Sequence, residues 1–127
     1  MSAIKVFKEQ LHFQQELKVY KRIKERNITN LCGFWIPKPL NYNSYLLIIE
    51  MEFVDPPFVV DFASAGVDAP LNEYTADIIA DWEESRQELF GENWPSVQKL
   101  IAAFEAYGIY LADVKPGNIM FAPTDSD

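Results

Sequence analysis

The sequence predicts an α+β fold, on three observations. Residues 45–53, YLLIIEMEF, make a nearly continuous apolar run, as a buried strand does. Residues 3–8, AIKVFK, alternate apolar and polar like a shorter strand. Over 9–26 and again over 95–107 the apolar residues recur at helical spacing.

Taken in order, the first strand, 3–8, runs directly into a helix. There Phe13, Leu17 and Tyr20 share one stripe and Ile23 extends it. Glu16 lies at the edge of that stripe, one turn before Tyr20, so its carboxylate can point towards the core. Asn27 to Asn30 end the helix. Residues 31–41, which carry a Pro-Lys-Pro corner, and 45–53 are expected to join 3–8 in one antiparallel sheet with the helix packed on it. Asp55-Pro56-Pro57 breaks the last strand, and 55–72 reads as a Gly/Pro/Ala-rich link. A helix near 74–90 sets Ile78, Trp82 and Leu89 on one face, and Gly91-Glu92-Asn93 separates it from the next. In 95–107, Val97, Leu100, Ile101, Phe104 and Tyr107 form an amphipathic stripe. Pro95 in the first turn and Gly108 just past the end suit the helix termini.

With 127 residues, 49% of them apolar and 14% aromatic, the chain is expected to be one domain with a real core. The domain 1–127 divides into a sheet-bearing part (1–54), the link (55–72) and a helical part (73–127). The single cysteine, Cys32, excludes an internal disulfide framework and a zinc cluster. The start MSAIKVFKEQ, charged almost at once, has no leader character, and Met-Ser is expected to be a genuine beginning. The longest apolar run, Tyr45–Ile49, is too short to span a bilayer, so a cytoplasmic protein is expected, with no membrane partner.

The net charge of −8 is unevenly spread. Residues 1–30 hold seven Lys/Arg against three Asp/Glu, whereas the rest hold four against sixteen. An acidic surface argues against nucleic acid as a partner. Lys18, Lys21, Arg22, Lys24 and Arg26 read as the solvated face of the first long helix, the alternative being a local anion-binding patch.

The segment most in need of a chemical reason is GIYLADVKPGNIMF, residues 108–121. Between two apolar flanks it sets Asp113, Lys115 and Asn118 around a Pro116-Gly117 turn. A plain connection needs no such set. The spacing resembles the catalytic loop of eukaryotic-type protein kinases, in which Lys follows the Asp two positions on and Asn five positions on. Upstream, AIK at 3–5 resembles the strand that carries the ATP-phosphate lysine. Glu16 in FQQELKVYKRI resembles the helix glutamate that pairs with that lysine. YLLIIEMEFV resembles the strand leading into the adenine-holding hinge.

The resemblance implies a truncated kinase-like fold and a set of roles. Asp113 would accept or orient the acceptor hydroxyl, Lys115 would steady the transferring phosphoryl group, and the amide oxygen of Asn118 would hold Mg²⁺. Lys5 and Glu16 would position the phosphates of ATP, and Glu50 and Glu52 would lie by the cofactor at the hinge.

Three departures from the family pattern bear on activity. The glycine-rich strands that precede the lysine strand are absent. The chain stops at APTDSD, before an Asp-Phe-Gly could follow the loop, so Asp125 and Asp127 read as a polar tail. Leu111-Ala112 stand where the family has His-Arg. Three readings remain open at this level. The chain is a degenerate, pseudokinase-like module with weak or no ATP binding that acts through a protein partner. Alternatively it is an active minimal phosphotransferase, or a purely structural interaction domain. The unpaired edge expected at 3–8 suggests a homodimer that hides apolar surface around Val6 and Phe7.

Overall fold

A computed structural model describes residues 1–59 and 61–121. The expected polar tail with Asp125 and Asp127 lies outside the described residues. Strand β1 (Ser2–Val6) leads into helix α1 (Gln10–Glu25). Short strands β2 (Asn30–Leu31) and β3 (Phe34–Trp35) follow, then β4 (Pro39–Asn43) and β5 (Ile48–Glu52). Strands β6 (Phe58–Val59) and β7 (Gly66–Val67) precede helices α2 (Ala76–Phe90) and α3 (Trp94–Ala106). Strands β8 (Ile109–Tyr110) and β9 (Ile119–Met120) complete the described chain. The architecture is mixed α+β.

The first sheet is antiparallel in the order β1-β5-β4, with the apolar β5 at its centre as expected. Ile49 and Met51 point to one face, where they meet the buried stripe of α1: Phe13, Leu17, Tyr20 and Ile23. Helix α1 stops because Asn27 takes a positive φ of 54° and returns its N–H to the Lys24 carbonyl at 3.1 Å. The Ile28 N–H reaches back to Ile23 at 2.9 Å, which closes the orphaned last turn.

The region 31–41 is not one strand, contrary to expectation. Cys32 and Gly33 both have positive φ (53° and 87°), the geometry of a tight hairpin turn, so β2 and β3 fold back on each other. They belong to a second sheet, β2-β3-β6-β9, and only β4 joins the first. The strand expected over 45–53 begins late for a related reason. The Asn43 side chain accepts the N–H groups of Tyr45 and Leu46 at 2.9 Å each, which captures Tyr45–Leu47 in the β4–β5 turn. The link 55–72 is not irregular throughout either, since it contributes β6 and β7. Phe7, expected on an exposed dimer surface, instead packs edge-on against Phe13 at 5.7 Å. Ile4 and Val6 remain exposed on the outer face of β1.

In α3 the expected stripe is core at Val97, Leu100 and Phe104, which are fully buried, whereas Ile101 is partly buried and Tyr107, just past the helix, is exposed. In α2 it is not. The Thr75 hydroxyl caps its start by accepting the Ile78 N–H at 3.3 Å, yet Ile78 and Leu89 are half exposed and Trp82 is only partly covered. No described helix is long and apolar enough to cross a membrane.

One side chain ties the two halves together. Arg22, expected on the solvated face of α1, turns inward and grips Asp68 with both terminal nitrogens at 2.9 Å. It also donates to the Tyr107 carbonyl at the end of α3 at 2.8 Å. Gly108 allows this close packing. Its φ is +74°, and a Cβ there would lie 2.6 Å from the Arg22 guanidinium and 2.7 Å from the Asp68 carboxylate.

Hydrogen bonding to Arg22 holds the Asp68 carboxyl below its ordinary value of 3.8. A lowered acid pKa contributes stability that is present above 3.8 and is lost as pH falls through the folded value. Asp68→Asn is therefore expected to lower stability at neutral pH and to flatten the acid limb of the stability profile. Urea denaturation across that limb checks this, and parallel wild-type and variant curves would refute it.

Candidate functional site

The site is built where two segments face each other. One runs β6, Asp61-Phe62, β7, and the other runs β8, the Asp113 loop, β9. Each flanking pair is antiparallel: Val59 opposes Ile119 in β6–β9, and Gly66 opposes Tyr110 in β7–β8. The two loops are thus clamped at both ends. Asp61 lies just past β6 and Asn118 just before β9, so the register brings them to one place.

Lys5 points to the inner face of the first sheet because it pairs with the buried Ile49. Its Nζ donates to Glu16 Oε2 at 2.6 Å and to Asp61 Oδ1 at 2.8 Å. Glu16 is only 3% exposed, on the core side of α1. Burial raises its pKa, and the bond from Lys5 offsets part of that rise. For Lys5, burial alone would lower the pKa, but hydrogen bonds to Asp61 and Glu16 outweigh it and hold the ammonium above its ordinary value. The cluster is a cation fixed between two carboxylates, one deep and one partly open.

Asp61 is oriented from behind as well. Its Oδ1 accepts the Ala63 N–H at 2.9 Å, a local turn of the kind Asp makes with its own backbone. The next side chain, Phe62, is 1% exposed and meets Tyr20 and Phe104 edge-on at 5.3 and 5.7 Å. Asp61 therefore sits on a rigid apolar anchor.

Asp61, Asp113 and Asn118 line one pocket of about 10 Å³, room for a single water-sized group, together with Phe62 and Leu111. Asn118 is buried, and its Nδ2 donates to the Asp113 carbonyl at 2.8 Å and to Asp113 Oδ2 at 3.1 Å. The NH₂ is thus engaged, and the amide oxygen accepts no hydrogen bond from the described residues. Lys115 lies 3.6 Å from Asp113 Oδ2 and is 54% exposed. The Asp113 carboxylate is open enough to meet an incoming group.

The chain thus brings Lys5 and Glu16 together, gathers Asp113, Lys115 and Asn118 in one loop, and joins the two sets through Asp61. Glu50 and Glu52 do not join them. Alternation along β5 puts both on the face opposite Ile49 and Met51. There Glu50 accepts from the Ser2 hydroxyl at 2.7 Å and Glu52 accepts from the Lys38 N–H at 3.3 Å. Their carboxylates are engaged away from the Lys5 cluster.

Asp61 is the site residue that the sequence reading passed over. Its signal is FVVDF, an apolar run ending in Asp-Phe.

The chain matches no family model, no curated protein and no solved structure. Among the described residues no group of three or more His, Cys, Asp or Glu stands ready to hold a metal. The oxygens of Asp61 and Asn118 are nevertheless the hard donors that Mg²⁺ prefers. Mg²⁺ is commonly held by one or two protein oxygens, with water and phosphate supplying the rest.

Proposed function

We propose that this chain is a kinase-like nucleotide-binding module that holds magnesium-bound ATP between Lys5, Asp61 and Asn118. One observation carries the reading: the Lys5 ammonium bonds at once to the buried Glu16 and to Asp61, which lines the same pocket as Asp113 and Asn118. In the proposed complex the metal would take Asp61 from Lys5, freeing the ammonium for phosphate oxygens while the buried Glu16 keeps it in place. An aspartate and an asparagine amide oxygen beside it suit the metal that bridges those oxygens.

In the kinase pattern the metal-binding Asp-Phe follows the asparagine loop. Here Asp61-Phe62 precedes it; the β6–β9 pairing, which sets Asp61 near Asn118, is what supports giving Asp61 that role. The glycines at 33, 66, 91, 108 and 117 are scattered and offer no backbone cradle for phosphates, and Leu111-Ala112 replace His-Arg. Weak binding with slow or no turnover is the expected behaviour, with protein contacts as the module's output.

Phosphoryl transfer is the second reading, favoured by the openness of Asp113 and the nearness of Lys115. An acceptor hydroxyl would attack the γ-phosphorus and the bond to the ADP oxygen would break. The hydroxyl proton would pass to Asp113. Bound Mg²⁺ would supply charge neutralisation on the phosphates.

Calorimetric titration with ATP, with and without Mg²⁺, tests the first reading. Wild type is expected to bind more tightly with Mg²⁺, and Asp61→Ala should lose that enhancement. No ATP binding by folded wild type under either condition would sink it. Phosphotransfer that disappears in Asp113→Ala would establish the second reading.

A further inference from the structure

We propose that the open edge of β1 pairs antiparallel with β1 of a second copy, joining their first sheets into one. The edge lies at the end of the order β1-β5-β4. Its free groups follow from hydrogen-bond alternation. The Phe7 N–H donates to the Leu47 carbonyl at 2.9 Å, and the Phe53 N–H donates to the Met1 carbonyl at 3.3 Å. The odd-numbered residues of β1 are therefore the ones that bond to β5. Ser2, Ile4 and Val6 turn their N–H and C=O groups the other way, and no described group meets them there.

The two edges of this sheet are guarded differently. Strand β4 begins at Pro39, which has no N–H, and its register shifts between Pro39 and Asn41. The Tyr42 N–H is taken by the Asn41 side chain at 2.9 Å. A further strand finds β4 kinked and short of donors. Strand β1 has no proline, no bulge and no charged side chain on its outer face. Its one charge, Lys5, points inward and is bonded to Glu16 and Asp61, so it does not guard the edge. Ile4 and Val6 stand 63% and 68% exposed on the outer face.

The strand's own sequence identifies a second copy as the occupant. Centred on Ile4, the pairing sets Ile4 against its counterpart and Ser2 against Val6 of the other chain. All the outward groups of these residues are then matched, giving about six backbone hydrogen bonds. Sliding the register by two residues in either direction leaves Val6 or Ser2 without a partner in β1. On the outer face Ile4 meets Ile4 and lies diagonal to Val6, so apolar side chains exposed in one chain cover each other. On the inner face Lys5 comes opposite Ala3, and no like charges stand directly opposite. Each chain spends its unguarded edge, so assembly closes at two. The proposal does not rest on nucleotide binding.

Sedimentation velocity of the whole chain from about 1 to about 200 μM tests this, because small edge contacts are weak and concentration-dependent. The sedimentation coefficient is expected to rise to that of a dimer and no further. Ile4→Pro should keep the chain monomeric, since it removes the central donor without breaking a bond inside the chain. An unchanged far-UV circular dichroism spectrum shows that the fold survives. Ile4→Lys sets two ammonium groups against each other at the centre and should weaken association about tenfold or more. In a Cys32→Ser background, Ser2→Cys chains mixed with Val6→Cys chains should cross-link several-fold more than either alone. A monomer at every concentration overturns the proposal. So does a dimer that Ile4→Lys leaves intact, growth beyond two copies, or equal cross-linking in all three samples.

Discussion

Phe62→Ala is expected to destabilise the protein by about 3–5 kcal/mol, the usual cost of emptying a fully buried aromatic site. Phe62 is 1% exposed and touches Tyr20 of α1 on one side and Phe104 of α3 on the other. Its removal opens a cavity at the junction of both helices, and neither neighbour can close in without leaving the other. Domains of this size are stable by about 5–15 kcal/mol, so the loss is a large fraction of the total. Urea denaturation of wild type, Phe62→Leu and Phe62→Ala should give a graded series. A loss below about 1 kcal/mol for the alanine variant would show that the aromatic bridge does not hold the halves together.

Lys5→Ala is expected to have two effects that can be separated. It leaves Glu16, 3% exposed, as a buried carboxylate without its cation, at a cost of about 2–3 kcal/mol. It also removes the charge proposed to meet phosphate. The double variant Lys5→Met with Glu16→Leu replaces the pair by apolar side chains and should recover much of the stability. It should not recover ATP binding. Denaturation and calorimetry on the same samples read the two effects independently. Nucleotide binding by the stable double variant would remove Lys5 from the site.

The fold was legible wherever burial leaves a local period. Helix α1 and helix α3 follow from Phe13, Leu17, Tyr20 and from Val97, Leu100, Phe104, because those stripes face the core. Periodicity also announced a face on α2, but a stripe shows only that something apolar is presented. It does not show that anything covers it, and Ile78 and Ile79 border an open groove. The errors in strand bounds come from side-chain and backbone devices that hydropathy does not register: the Asn43 acceptor and the Cys32-Gly33 turn. Glu50 and Glu52 were misplaced against a rule already visible, since alternation with Ile49 and Met51 sends them to the other face. Asp61 was missed for a different reason. Its role depends on a pairing between distant strands, and local patterns carry no record of which strand meets which.

The β6–β9 pairing also determines when the pocket can exist during synthesis. Val59 and Ile119 are some sixty positions apart. A nascent chain that has made everything through α3 still lacks the strand that sets Asn118 beside Asp61. Lys5, Glu16 and Asp61 can meet early, whereas the remaining oxygens arrive last. On the ribosome, the ion cluster is therefore expected to be a folding intermediate's feature, with the pocket between Asp61 and Asn118 completed only after β9 has left the exit tunnel.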